Sequence, residues 1–237
     1  MPLPARLPRR APVCYAQRTG DARVGEEMKS TTFDIFAGWC AILAGICGFL
    51  YAVAFIVIAR SAPELGALLS GLFLALAGLF VTAALLAVWG RLRTIAPEFA
   101  LWAYLLGFVG AIGSTIHGGY DLANALHPTA LVAAQAQANL PSQVDPRGLL
   151  TFGVAGLGML GVAWLMARGR RFPPGLAALG YVSAALMIVL YLSRLIILDA
   201  ASPVVAIPAV LEGFLINPIW YVWLGLTLWR GASSGRG

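Results

Sequence analysis

Charged residues are scarce in this sequence. They make up 11% of its 237 residues, whereas a soluble domain carries roughly 25%. Hydrophobic residues make up 60% of the chain, and they gather in several runs of about 20 residues, the length that crosses a bilayer. These two features exclude an ordinary soluble domain and indicate a multi-pass membrane protein.

The sequence also lacks the motifs of several well-defined chemistries. It has no phosphate-binding glycine loop, no His-Glu-x-x-His zinc motif and no Gly-x-Ser-x-Gly nucleophile elbow. Lys29 is its one lysine and precedes the first apolar run, which excludes a retinal Schiff base within a span. Three cysteines provide no disulfide framework. We therefore expect neither a metal site nor a cofactor.

Six apolar runs separated by turn signals predict an all-α fold, a polytopic transmembrane helix bundle at residues 30–230. Proline or arginine marks most of the turns, and both residue types are typical of the ends of membrane helices. A short tail, residues 231–237, follows the last run. The predicted spans are residues 34–59, 64–90, 98–120, 148–167, 175–198 and 208–229.

The N-terminal segment, residues 1–29, is polar and basic and contains no apolar run. We expect it to be disordered, and it does not resemble a signal peptide. Met28-Lys29, followed by polar residues and then the first span, is typical of a natural start. We therefore expect residues 1–27 to be an upstream extension.

The basic residues predict how the bundle is oriented. Thirteen fall on the side that holds both termini, and Arg60 and Arg147 fall on the other. Cytoplasmic segments carry the excess of basic residues, so we expect both termini in the cytoplasm. The net charge of +6 then reflects orientation and does not indicate nucleic-acid binding, since no aromatic-interleaved basic patch occurs. The lipid bilayer is the expected partner.

The third span ends in the two residues best suited to chemistry. His117 and Asp121 lie one helical turn apart, on the face that carries Gly107, Gly110 and Ser114. An aspartate beside a histidine orients the ring and raises its basicity. His117 and Asp121 are therefore the candidate catalytic pair. The alternative is that both residues only cap the end of the helix.

The fifth and sixth spans supply candidate binding residues, which we expect at the same outer depth as His117. Arg194 and Tyr191 share a face of span five, and Glu212 lies about one turn inside span six. Consecutive helices are usually neighbours, so we predict an Arg194–Glu212 ion pair, either as structural support or as the frame of a polar pocket. Asn217, before Pro218, predicts a break in span six near mid-membrane.

Several segments resemble those of uncharacterised bacterial six-span membrane proteins. The resemblance implies this fold class and a bacterial plasma membrane, but it implies no activity and no site residues. The segments are His117-Gly-Gly-Tyr-Asp121, Asp145-Pro-Arg-Gly-Leu-Leu-Thr-Phe152, Arg171-Phe-Pro-Pro-Gly175 and Asn217-Pro-Ile-Trp-Tyr-Val-Trp-Leu-Gly225.

Three functions remain open at this point. The first is a non-catalytic accessory, sensing or binding module in the plasma membrane, with a membrane-protein partner or a second copy of the chain as possible companions. The second is a membrane enzyme for a lipid-like substrate of the outer leaflet, with Arg194 as the anion anchor. The third is a small transporter, which would have a cavity reaching Asn217.

Overall fold

The computed structural model describes residues 14–130, 134, 140–199 and 202–234. These residues form helices, with no β-strand among them, and six of the helices are long and apolar enough to cross a membrane. The prediction of an all-α, six-span bundle is therefore confirmed. The spans are α1 (Thr32–Ser61), α2 (Pro63–Leu92), α3 (Pro97–Leu126), α4 (Pro146–Gly169), α5 (Pro174–Ile196) and α6 (Pro203–Gly231).

The helix that contains α1 begins earlier than the sequence predicts. It starts at Cys14, so residues 14–29 are helical where we expected disorder. The prolines of this region all lie before Cys14, and the residues that follow include alanine, arginine and glutamate, which favour helix. Residues 1–13 and the end of the tail, 235–237, lie outside the described residues.

Two other helices depart furthest from their predicted bounds. Helix α3 continues to Leu126, and the next residue, His127, has non-helical φ and ψ angles of −133° and 71° because it precedes a proline. Helix α6 begins at Pro203, a residue well suited to the first helical position, so Pro208 lies inside the helix. Glu212 is therefore nine residues into α6, about 14 Å from its start.

The six helices form a closed ring. Each helix packs against the next in the chain, and α6 returns to pack against α1. Small residues bring the backbones close, as expected where lipid provides no hydrophobic drive for association. A β-carbon on Gly71 would lie 2.6 Å from the backbone nitrogen of Leu122, and one on Gly45 would lie 2.9 Å from the carbonyl of Pro218.

The ring has two unlike halves. The terminal half is the end at which α1 begins and α6 ends, and the distal half holds the α1–α2, α3–α4 and α5–α6 connections. Large side chains fill the terminal half, and an ion pair from Arg91 to Asp34 (2.8 Å) ties α2 to α1 there. Its fully buried side chains include Val88, Leu92, Leu165, Met166, Leu176, Trp220, Leu224 and Leu228.

The distal half contains three π-helical segments. They are Val53–Ile58 in α1, Leu149–Val154 in α4 and Glu212–Ile216 in α6. A π-helical turn holds an extra residue and is frequent at functional sites. The segment in α6 directly precedes Asn217-Pro218, where proline removes the backbone donor that would bond to Phe214 in an α-helix. The predicted break in this span is therefore a widened turn.

Candidate functional site

A cavity of about 460 Å³ occupies the centre of the distal half. All six helices contribute to its wall, and most of the wall is alanine, glycine and larger apolar residues. Gly107, Gly110 and Ser114, which the sequence places on one face of α3, all line it. Residues from all three π-helical segments line it too. A cavity of this size suits a small organic ligand.

The wall residues of the cavity that also face outward indicate a sideways opening between α1 and α6. Of its wall residues, Phe55 (56% exposed), Val210 (42% exposed) and Arg60 also face the outside of the bundle, and these belong to α1 and α6. The two helices touch closely at Ala52 and Gly213, where a β-carbon on Gly213 would lie 2.8 Å from that of Ala52. Beyond this contact, Pro203–Leu211 packs mainly against α5, which leaves a gap facing the membrane.

Glu212 lies in the wall of the cavity near the middle of the bundle, and Asn217 and Tyr221 line the cavity further along α6. Its residue surface is 5% exposed, and its Oε1 accepts a hydrogen bond of 2.6 Å from Ser183 Oγ on α5. Its Oε2 is buried and makes no hydrogen bond of standard geometry within the described residues, and the side chain of Asn217 lies within hydrogen-bonding reach of this carboxyl group. Burying an unpaired charge at the centre of a membrane costs about 2.5–3.5 kcal/mol, so this oxygen is an unusual feature.

The predicted Arg194–Glu212 ion pair is wrong. Glu212 is bonded to Ser183, and Arg194 lies over the ring of Phe152 at 5.6 Å from its centre. Arg194 is eleven residues beyond Ser183 on α5, a separation of about 16 Å along the helix. The prediction failed because α6 begins five residues earlier than expected, which moves Glu212 from the outer quarter of the membrane towards its middle.

Two arginines stand at the distal end of the cavity. Arg60, at the end of α1, and Arg194, near the end of α5, both line it. Arg194 has no hydrogen bond or ion pair with any residue in the described part of the chain. An unpaired guanidinium offers several donors to an anionic group. The cavity therefore has the Glu212 carboxyl group near its middle and two positive charges at its distal end, which we call its mouth.

His117 has the neighbour that the sequence predicts and a second one besides. Its Nε2 lies 3.3 Å from Asp121 Oδ2, and its Nδ1 lies 3.1 Å from Asp145 Oδ2. The adjacency of His117 and Asp121 is confirmed. Both contacts are hydrogen bonds at once only in the imidazolium, which carries a donor on each nitrogen. The ring therefore joins α3 to the start of α4.

Asp145 is the fully buried centre of this cluster. Its carboxylate accepts hydrogen bonds from the backbone of Leu150 (2.7 Å) and Thr151 (3.2 Å) and from Thr151 Oγ1 (2.6 Å), an arrangement that satisfies the free donors at the start of α4. Burial raises the pKa of the Asp145 carboxyl, but hydrogen bonds from His117, Thr151 and the backbone outweigh it and lower the pKa to about 2.

The predicted site residues thus fall in two places. Arg194, Glu212 and Asn217 line the cavity, whereas His117, Asp121 and Tyr191 are not among its wall residues. Tyr191 packs on Gly153 of α4, where a β-carbon would lie 3.0 Å from the tyrosine ring. Thr151 connects the two places, because it lines the cavity and bonds to Asp145.

The sequence carried a signal for Asp145 that could have identified its role. An aspartate followed by proline and then an apolar run is typical of a helix N-terminus, and Asp145-Pro146 has this form. No comparable signal marks Ser183 or the π-helical segments. Their roles depend on how the helices are rotated against one another, which a single sequence does not show.

Comparisons of the chain with protein-family models, with curated proteins and with solved structures give no match. What the protein does is therefore inferred from the cavity and its side chains.

Proposed function

We propose that the protein is a membrane-embedded binding module for a small amphipathic molecule, which enters the central cavity from the lipid. The observation that carries this proposal is the cavity of about 460 Å³ with a gap between α1 and α6. A dry, closed bundle would suit a purely structural role, and the distal half is not packed in that way.

The shape and charge of the cavity favour an amphipathic ligand. Phe55 and Val210 at the gap are apolar, so a hydrocarbon body can pass between them from the bilayer. Arg60 and Arg194 at the mouth provide positive charge for an anionic headgroup. An anionic amphiphile would thus place its headgroup near the distal end and its body inside the bundle.

We also propose that the bundle lies in a bacterial plasma membrane with both termini in the cytoplasm. In support, basic residues at helix ends of the described chain gather at the terminal half: Arg91, Arg93, Arg168, Arg170, Arg171 and Arg230. The excess of such residues marks the cytoplasmic side. The gap between α1 and α6 would then face the outer leaflet.

A photoreactive dodecanoic acid, added to the purified protein in lipid nanodiscs, tests the binding function. We expect it to label α1 and α6 near Phe55 and Ala209, since both line the cavity. Mass spectrometry of the digested protein locates the label. Ala77→Phe, which places a ring in the cavity from α2, should reduce the labelling at least tenfold.

Ala185→Phe on α5 is the matched control, because Ala185 faces outward and is not a wall residue. This variant should be labelled like the unaltered protein. Labelling spread over the lipid-facing surface, equal in all three proteins, would contradict the proposal.

A small transporter is the second candidate, and one observation favours it. The cavity reaches Asn217 near the middle of the bundle while the terminal half stays closed, as in a carrier that faces one side. Uptake of the labelled acid into sealed proteoliposomes would support this function, and binding without uptake would favour the binding module. The enzyme alternative is weaker, because its acid–base pair, His117 and Asp121, is not part of the cavity wall.

A further inference from the structure

One wall residue near the middle of the cavity differs from its mostly apolar surroundings. Glu212 presents a carboxyl group whose Oε2 is buried and makes no hydrogen bond of standard geometry within the described residues, with the Asn217 side chain beside it. The side chain is 5% exposed and is held in place by the 2.6 Å hydrogen bond from Ser183 to Oε1. A purely hydrocarbon ligand would leave this oxygen buried and unsatisfied, which is unfavourable.

The mouth of the cavity has the opposite character. Arg194 lies about 16 Å from the level of Ser183 along α5, and its guanidinium lies over Phe152 without an acidic partner in the described chain. Glu212 and Arg194 therefore form two separated polar ends. The wall between them includes Met187 and Leu190 on α5, which are apolar and buried.

We infer that the ligand is bipolar, with a hydrogen-bond-donating end group that reaches Glu212 inside the cavity and an anionic end group that reaches Arg194 at the mouth. This inference rests on the proposed binding function and specifies its ligand class. An apolar chain joins the two ends. An ammonium group is the best donor to the Glu212 carboxylate, because a hydrogen bond between two charged groups is stronger than one between neutral groups.

A series of compounds with one chain length tests this inference on the unaltered protein. Aminododecanoic acid, hydroxydodecanoic acid and dodecanoic acid carry the same carboxylate and differ at the far end, and each is titrated into the detergent-solubilised protein by native mass spectrometry. We expect aminododecanoic acid to bind at least tenfold tighter than dodecanoic acid, with hydroxydodecanoic acid between them.

Substitutions test whether Glu212 is the residue that makes aminododecanoic acid bind more tightly than dodecanoic acid. Glu212→Gln keeps the size of the side chain and an acceptor for Ser183, and it should remove the advantage of the amino acid. Glu64→Gln, at the exposed start of α2, is the matched control and should leave that advantage unchanged. Arg194→Gln should weaken all three acids by about tenfold, while the order among them remains.

The results that would contradict the bipolar ligand differ from those that would contradict the proposed binding function. If dodecanoic acid binds as tightly as the amino acid, and Ala77→Phe abolishes the binding of both, the cavity is a binding site but the bipolar ligand is wrong. If none of the three acids binds, or Ala77→Phe leaves their binding unchanged, the proposed function fails and the inference fails with it.

Discussion

The two halves of the bundle use the same helices for opposite purposes. In the terminal half, Trp220, Leu224 and Leu228 of α6 belong to one buried cluster with Leu92 and Leu165, and each is at most 1% exposed. In the distal half, α6 offers Ala206, Ala209 and Gly213, and these residues line a cavity. The difference teaches that side-chain size along each helix, and not helix placement alone, decides where the ring is solid and where it is hollow.

Polar contacts between neighbouring helices support the distal half, whose centre is not packed. Asp145 links the start of α4 to His117 on α3, and Ser183 links α5 to Glu212 on α6. These polar contacts replace the large apolar contacts of the terminal half. A solid half that anchors the ring and a hollow half held by hydrogen bonds are consistent with a binding protein.

The largest loss of stability is expected when a large side chain is removed from the packed terminal half. Trp220→Ala removes a fully buried indole that also donates a hydrogen bond of 3.0 Å to the carbonyl of Leu176. The free energy of unfolding should fall by about 3–5 kcal/mol, measured by denaturant unfolding in detergent. Trp102→Ala, on a side chain that is 52% exposed, is the control and should change stability little. Equal losses in both variants would show that the terminal half is not a packed core.

The next effect concerns the polar support of the hollow half. Asp145→Asn removes the charge of a carboxylate that accepts four hydrogen bonds, and stability should fall by about 3 kcal/mol. Asp121→Asn is the matched control, since Asp121 is 44% exposed and its contact with His117 is worth under about 1 kcal/mol. Thermal unfolding compares the two variants. A larger loss in Asp121→Asn would reverse the roles assigned to these aspartates.

Lowering the pH should weaken the hydrogen bonds to the Asp145 carboxylate. The pKa of Asp145 is lowered from 3.8 to about 2 by its hydrogen bonds, which outweigh the effect of burial. A carboxyl group whose pKa is lower in the folded than in the unfolded protein stabilises the fold at pH values above its unfolded-state pKa. This stabilisation is lost as the pH falls through the folded-state pKa. The protein should therefore lose about 2 kcal/mol between pH 4 and pH 2. Asp145→Asn should lack this part of the pH dependence, and an unchanged acid profile would contradict the assignment.

Features that belong to a single helix were easier to predict from the sequence than contacts between helices. Runs of apolar residues predict the six spans, and the one-turn spacing of His117 and Asp121 predicts their contact, because both are properties of a single helix. The bonds from Ser183 to Glu212 and from His117 to Asp145 join residues 29 and 28 positions apart. Such contacts depend on the rotation and depth of separate helices.

Helix ends account for the main error. Pro208 looks like the start of the last span, yet Pro203 is the residue at which α6 begins. A shift of five residues moves Glu212 by about 7 Å and changes its partner from Arg194 to Ser183. The π-helical segments add to the difficulty, since an extra residue in a turn rotates every later side chain on that helix.

One pair of variants tests most directly that one half is solid and the other hollow. Ala77 and Ala84 lie two turns apart on α2; Ala77 lines the cavity, and Ala84 is fully buried in the terminal half. Ala84→Phe should lower the free energy of unfolding by about 1–3 kcal/mol through overpacking, whereas Ala77→Phe should leave it unchanged or raise it. Equal destabilisation by the two substitutions would contradict the hollow distal half.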